Sequence, residues 1–280
     1  SPLTACGSAS AISPAEALAA LQGEDGSWEG EVVWGPVITA MVVIARTIVR
    51  QPMAEEETAG VKRHFQVTQR PDGGWGMHPV SPSQLWVTVL VYVALRLLAE
   101  SPDGPLAASA HRWLEGQPEG LVALPGWGKL WLALLGLYPY QGIQAMLPEL
   151  ALAPAWSPLG IDRLYCHTRY MYLGMAYLYG SRFAIDLGEL GRALAKELPS
   201  LPLDASTAMR YRHALAHSDA YVVPGLAARR FDDALRCLER IAARIGAGRH
   251  MRRRALAHCL EAIRIEVATT AGQGLSSMDM

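Results

Sequence analysis

The side chains whose types and spacing could do chemistry fall into three groups. Four cysteines, Cys6, Cys166, Cys237 and Cys259, are scattered, with no C-x-x-C pair and no Cys/His spacing that would close a tetrahedral site. Reduced thiols and no metal are therefore expected. The second group is the run Leu164-Tyr165-Cys166-His167-Thr168-Arg169-Tyr170-Met171-Tyr172-Leu173, whose aromatic series continues through Tyr177 and Tyr179 to Phe183. Amphipathic rings at this density suit either a buried inner helix or a helix lying against a bilayer surface, and both readings stay open. The third is charged: a basic run from Arg249 to Arg254, read as a solvated helix face with anionic lipid as the alternative, and the acidic pair Asp232-Asp233.

The rest of the chain limits what these groups can serve. Its 280 residues are 51% apolar and 18% charged, which excludes disorder and predicts a large core. With 25 Lys+Arg against 26 Asp+Glu there is no global basic field to hold nucleic acid. Residues 1–10 are small and polar, without the basic and apolar segments of a secretory signal. Mean hydropathy is nevertheless +0.13. The apolar stretches 36–45 and 85–95 stop at Arg46 and Arg96, short of the roughly 20 residues that span a bilayer.

The elements that must position the reactive groups are legible as a repeat. Gln22-x-x-x-Gly26-x-Trp28 recurs as Gln69-x-x-x-Gly73-x-Trp75, a shift of 47 residues for all three side chains. Each copy follows a helix with apolar residues at i, i+3 and i+4 (15–21 and 61–67) and contains strong turn chemistry at Asp25-Gly26 or Pro71-Asp72-Gly73-Gly74. A degenerate third copy, Trp113-Leu114-Glu115-Gly116-Gln117 with Gly120, keeps the period without the Gly-x-Trp. Between copies, 37–49 and 85–98 are apolar nearly all round, as inner helices are, whereas the helices before each Gln carry charge on one face. Residues 87–93 would also suit a buried strand, but the Leu- and Ala-containing continuation favours helix. Further helices are expected at 190–198, 231–245 and 251–267, the last two separated by Gly246-Ala247-Gly248, with a loop at 199–202.

The Gln-x-x-x-Gly-x-Trp repeat resembles the QW motif of the squalene and oxidosqualene cyclases. The resemblance extends to Gly128-Lys129-Leu130-Trp131, to Pro148-Glu149-Leu150 and Pro154-Ala155-Trp156-Ser157-Pro158, and to Tyr165-Cys166-His167-Thr168-Arg169, all closer to the sterol branch than to the hopene branch. It runs with gaps from Ala15 to Met280. It implies an all-α fold, an α/α-toroid forming the second barrel of a class II triterpene cyclase. Residues 1–34 would be the tail, first helix and first repeat, and 35–280 the inserted barrel.

The resemblance also implies roles. Trp131, Tyr165, His167 and Tyr172 would line the substrate cavity, and Thr168 with Tyr172 would form the channel constriction. Tyr165 replaces the Trp, and Thr168 the second Cys, of the W-C-H-C-R pattern. His167 matches protosteryl-forming relatives, where pentacyclic triterpene synthases carry Tyr. Gln22, Trp28, Gln69 and Trp75 would be structural, Gln capping a neighbouring helix N-terminus and Trp stacking on it. No catalytic residue is expected here, because the proton donor sits in D-C-T-A-E or D-x-D-D of the other barrel and neither motif occurs. Residues 32–34 depart from the Tyr-Gly-Gly-Pro pattern, and the ending at 272–280 reads as a truncation.

The expected function is thus the N-terminal portion of a 2,3-oxidosqualene cyclase making a lanosterol- or cycloartenol-type sterol, inactive alone. It would need no cofactor, a C-terminal catalytic barrel as partner, and a peripheral, monotopic position on the cytoplasmic side of a membrane. The alternatives are a squalene-type polyprenoid cyclase fragment and a non-catalytic toroid domain binding a lipid or a partner chain.

Overall fold

A reciprocal cap decides where the first helix begins. In the computed structural model, which describes residues 13–28, 35–78, 80–157, 159–198, 203–219 and 225–270, Ser13 Oγ accepts from the Glu16 N–H at 3.2 Å while the Ser13 N–H donates to the Glu16 carboxylate at 2.9 Å. That cap opens α1 (Pro14–Ala20). The chain divides into two compact units, Ser1–Trp34 and Gly35–Met280. The expectations for 1–10, 32–34, 199–202 and 272–280 lie outside the described residues.

The second unit is built on two helices that are apolar almost all round, α2 (Pro36–Ile48) and α4 (Leu85–Leu97), packed on each other. Residues 87–93 are helical, and α4 is buried from Leu85 to Leu95 apart from half-buried Trp86. Around this pair, α3 (Glu55–Thr68), α5 (Pro105–Glu115) and α8 (Glu189–Glu197) each bury one narrow stripe: Phe65 on α3, Ala107, Ala110 and Leu114 on α5, and Leu194 on α8. Inner helices surrounded by one-faced outer ones are the layering that the polarity contrast predicts. Among the described residues there is no strand, and no helix is long and apolar enough to cross a membrane.

The remaining helices are α6 (Gly126–Leu134), α7 (Cys166–Ser181), α9 (Ala205–Arg210), α10 (Leu226–Arg244) and α11 (Gly246–Thr269). A 3-10 turn, Pro148–Leu152, packs with α7 and α11. The Gly246-Ala247-Gly248 segment is not a separator, contrary to expectation. The helices break at Ile245, with ψ at 134°, and the glycines belong to the first turn of α11. A Cβ at Gly248 would lie 2.0 Å from the Ala242 carbonyl oxygen, so glycine is what lets the two helices abut.

The N-terminus of α4 is capped from far along the chain. Its N-cap residue, Gln84, supplies no side-chain cap. Instead the Leu85 N–H donates to Ser218 Oγ at 3.2 Å and the Trp86 N–H to Asp219 Oδ2 at 3.1 Å. Asp219 is buried, and burial pushes its carboxyl up to about 6 against the opposing pull of those donors.

Candidate functional site

Trp131 belongs to α6, whose register turns Leu130, Leu132, Ala133 and Leu134 into the core and leaves Trp131 half-buried. Its ring meets Trp127 edge-on at 6.2 Å between centroids, and its Nε1–H is buried without a hydrogen-bond partner. Beside it, Lys129 is fully buried, donating to the Arg212 carbonyl at 3.0 Å and the Tyr211 carbonyl at 3.4 Å. Burial pulls its ammonium down to about 7.

The other expected cavity residues cluster at the start of α7. Tyr165 is the N-cap residue, 71% exposed, and stacks on His167 at 5.2 Å with the rings 7° from parallel. His167 Nδ1 lies 3.2 Å from Cys166 Sγ. Thr168 is exposed, and Tyr172, one turn further along, is half-buried and donates its hydroxyl to the Leu147 carbonyl at 2.8 Å. Burial raises its phenol well above the usual tyrosine range. The structure thus joins Tyr165 to His167 and carries Thr168 and Tyr172 on the same helix. It does not join them to Trp131, which packs on the large core cluster while Tyr172 packs on a smaller one with Leu173 and Cys259. Of the two readings of the 170–183 segment, packing claims the larger part: Leu173, Ala176 and Tyr179 are buried, and Tyr170, Tyr172 and Tyr177 rest on the smaller cluster.

The two Gln-x-x-x-Gly-x-Trp copies share one hydrogen-bond pattern. Gln22 Nε2 donates to the Gly26 carbonyl at 2.7 Å and Trp28 Nε1 to the Leu18 carbonyl at 2.7 Å; Gln69 Nε2 donates to the Gly73 carbonyl at 2.9 Å and Trp75 Nε1 to the Phe65 carbonyl at 2.9 Å. Gln69 also reaches the first turn of α5, donating to the Leu106 carbonyl at 3.1 Å. The expected tie to a neighbouring helix therefore exists in the second copy, but it runs to a carbonyl and not to the N–H groups of an N-terminus. The indole ties back to the preceding helix.

Two features were not legible as sites. Asp232, in the sequence only half of an acidic pair, is buried and accepts from the Ala145 N–H at 2.6 Å and from Arg212 Nε at 2.9 Å. Arg212 also pairs with Asp233, and His213 Nε2 lies 3.3 Å from Asp232 Oδ2. His213, Asp232 and Asp233 place three ligand atoms within 4.8 Å of one another, but the Arg212 guanidinium already bridges both carboxylates and offsets part of their charge. The second is a cleft of about 810 Å³ among α7, α10, α11 and the 148–152 turn, lined by none of Trp131, Tyr165, His167, Thr168 or Tyr172.

Inner and outer helices, with a QW turn leading from α3 to α4, define this as an α/α-toroid domain of the triterpene cyclase class. The chain belongs to the squalene-hopene cyclase N-terminal domain family, whose model matches residues 13–274. It is 36% identical over 178 residues to lanosterol synthase of Homo sapiens, covering 64% of this chain and 24% of that protein. Protostadienol synthase A of Neosartorya fischeri is 35% identical over 251 residues, covering 89% of this chain and 33% of that protein. Cycloartenol synthase of Dictyostelium discoideum is 34% identical over 179 residues, 64% of this chain and 25% of that one. The chain therefore spans between a quarter and a third of the length of the relatives it matches.

Proposed function

We propose that this chain is the N-terminal portion of a 2,3-oxidosqualene cyclase, an isomerase closing the rings of oxidosqualene through a protosteryl-type cation toward a lanosterol- or cycloartenol-type sterol. The observation that carries the reading is the stacked Tyr165–His167 pair at the start of α7, inside a segment that resembles the sterol branch. Such a reaction needs one strong acid, a dry cavity, and faces of negative potential where positive charge develops. A cation over a Tyr or Trp face gains about 0.5–2 kcal/mol, and about 1.36 kcal/mol changes a rate tenfold, so a few faces steer product choice without quenching the cation.

With Tyr165 and His167 near parallel, each ring covers one face of the other and leaves its second face to a cation. Tyr172 keeps its hydroxyl on the Leu147 carbonyl and its phenol neutral, so it offers a ring and no base. Thr168 and Tyr172, i and i+4 on one helix, form the channel constriction in this reading. Trp131 contributes a further face, held edge-on by Trp127.

The proton comes from a second barrel, because neither D-C-T-A-E nor D-x-D-D occurs in the 280 residues. That barrel covers the stripe Phe231, Leu238 and Ile241, which α10 turns outward at helical spacing, and Ile245 just beyond its end. Membrane attachment on the cytoplasmic side uses Trp156, Leu159 and Leu164, exposed over one short segment.

Two measurements test this. The chain alone, incubated with oxidosqualene, yields no tetracycle by mass spectrometry; product from the chain alone refutes the division of labour. In the complete enzyme, His167→Ala shifts product toward incompletely cyclised species more than it lowers turnover. An unchanged product profile would make His167 a packing residue.

A further inference from the structure

We propose that the cleft among α7, α10 and α11 is a binding site for a phosphate or diphosphate group. Six arginines line it, Arg182, Arg236, Arg240, Arg249, Arg252 and Arg253, against two carboxylates, Glu149 and Glu239. They come from α10, α11, the C-cap of α7 and the 148–152 turn, spread over about a hundred residues of sequence, in a chain whose net charge is −1, so the positive charge is gathered here and not inherited from composition. Both carboxylates already pair with arginine; Glu239 accepts through both oxygens and Glu149 through Oε1 alone, its Oε2 being buried without a partner. Glu239 accepts from Arg182 at 2.7 Å, from the Tyr179 hydroxyl at 2.9 Å and from Arg252 at 3.5 Å, and Glu149 accepts from Arg252 Nε.

What is left over is cationic. Among the described residues Arg240, Arg249 and Arg253 form no ion pair with a carboxylate, and all three are exposed. Arg236 is only 5% exposed. Its Nη2 donates to the Ile143 carbonyl, and its Nε is buried with no partner. Leaving a guanidinium N–H unpaired in the interior costs free energy that an anion accepting from it would recover. Guanidinium groups present planar forks of donors that match phosphate oxygens bidentately, and a concave wall focuses their field where a flat surface would not. Met209, Ala242 and Ala243 add an apolar patch to the lining, which suits a phosphate ester as well as a bare anion.

The test uses the full chain and two probes, inorganic pyrophosphate followed by phosphorus-31 NMR and sedimentation with phosphatidylglycerol vesicles. Two variants lose the same charge: Arg240→Gln with Arg249→Gln and Arg253→Gln in the cleft, and Arg63→Gln with Arg112→Gln and Arg192→Gln elsewhere. All six positions are exposed, so both variants fold. Pyrophosphate binding should weaken about tenfold or more in the cleft variant and less than about twofold in the control. Vesicle binding that pyrophosphate displaces and the cleft variant loses identifies a lipid phosphate; pyrophosphate binding without vesicle binding identifies a soluble one. Binding of neither probe, or equal loss in both variants, overturns the proposal.

Discussion

The two intact copies of the Gln-x-x-x-Gly-x-Trp turn are nearly the same object locally and very different ones energetically. In each, the Gln amide closes the turn onto the glycine carbonyl and the indole N–H reaches back ten residues to the preceding helix. Yet Trp28 is 50% exposed and Trp75 is 0% exposed. Around Trp75 the unit adds what the motif does not contain: Thr88 Oγ1 accepts from the Trp75 N–H at 2.9 Å, Gln69 ties to α5, and Gly73 lies so close to Ser109 that a Cβ would come within 2.5 Å of its carbonyl oxygen. The hydrogen-bond geometry is a property of the seven residues and the helix before them. The stability it confers is a property of what packs on it.

That contrast can be broken by experiment. The largest expected effect is Trp75→Ala, which empties a fully buried ring site and should cost about 3–5 kcal/mol in urea unfolding. A loss no greater than that of Trp28→Ala would mean that the surrounding packing is not what matters.

Next is the cap on α4, the helix whose Thr88 holds Trp75. Asp219 has its carboxyl raised from 3.8 to about 6, so the folded state binds that proton more tightly than the unfolded state. Its contribution is fully present below about pH 4 and is lost as pH rises through about 6. Asp219→Asn keeps an acceptor for the Trp86 N–H without the buried charge. Its stability relative to the parent should therefore rise between pH 4 and 7, by on the order of 1–3 kcal/mol. A difference that stays flat over that range would show that the carboxylate is not strained by its burial.

Gln69→Ala removes two hydrogen bonds, one of them to α5, and should cost about 1–2 kcal/mol; Gln22→Ala removes one exposed bond and should cost under about 0.5 kcal/mol. Equal costs by thermal melting would place the value of the motif in its own turn. Trp28→Ala should cost under about 1 kcal/mol, since half of its surface is already in water.

Much of this protein was decided by sequence alone. The helix over 85–97 follows from its apolar run being too long for a strand, and the turn geometry of both repeats follows from Asp-Gly chemistry, with the Gln-to-Gly and indole-to-helix bonds common to both copies spanning ten residues or fewer. The aromatic and histidine content of 164–173 was equally plain, and with it the family. Tertiary structure decided the rest, because it depends on segments that only folding brings together. The α4 cap comes from 133 residues away. The buried Asp232 is answered by Arg212 and by the Ala145 amide 87 residues off. Trp131 and Tyr172, alike in the sequence as cavity candidates, fall into different packing clusters. Arg249 to Arg254 read as an ordinary solvated face until α10, broken from α11 at Ile245, set Arg236 and Arg240 in the same cleft as Arg249 and Arg253. A periodicity records which face of a helix is apolar, whereas only the packed chain fixes what that face, or its charged opposite, finally meets.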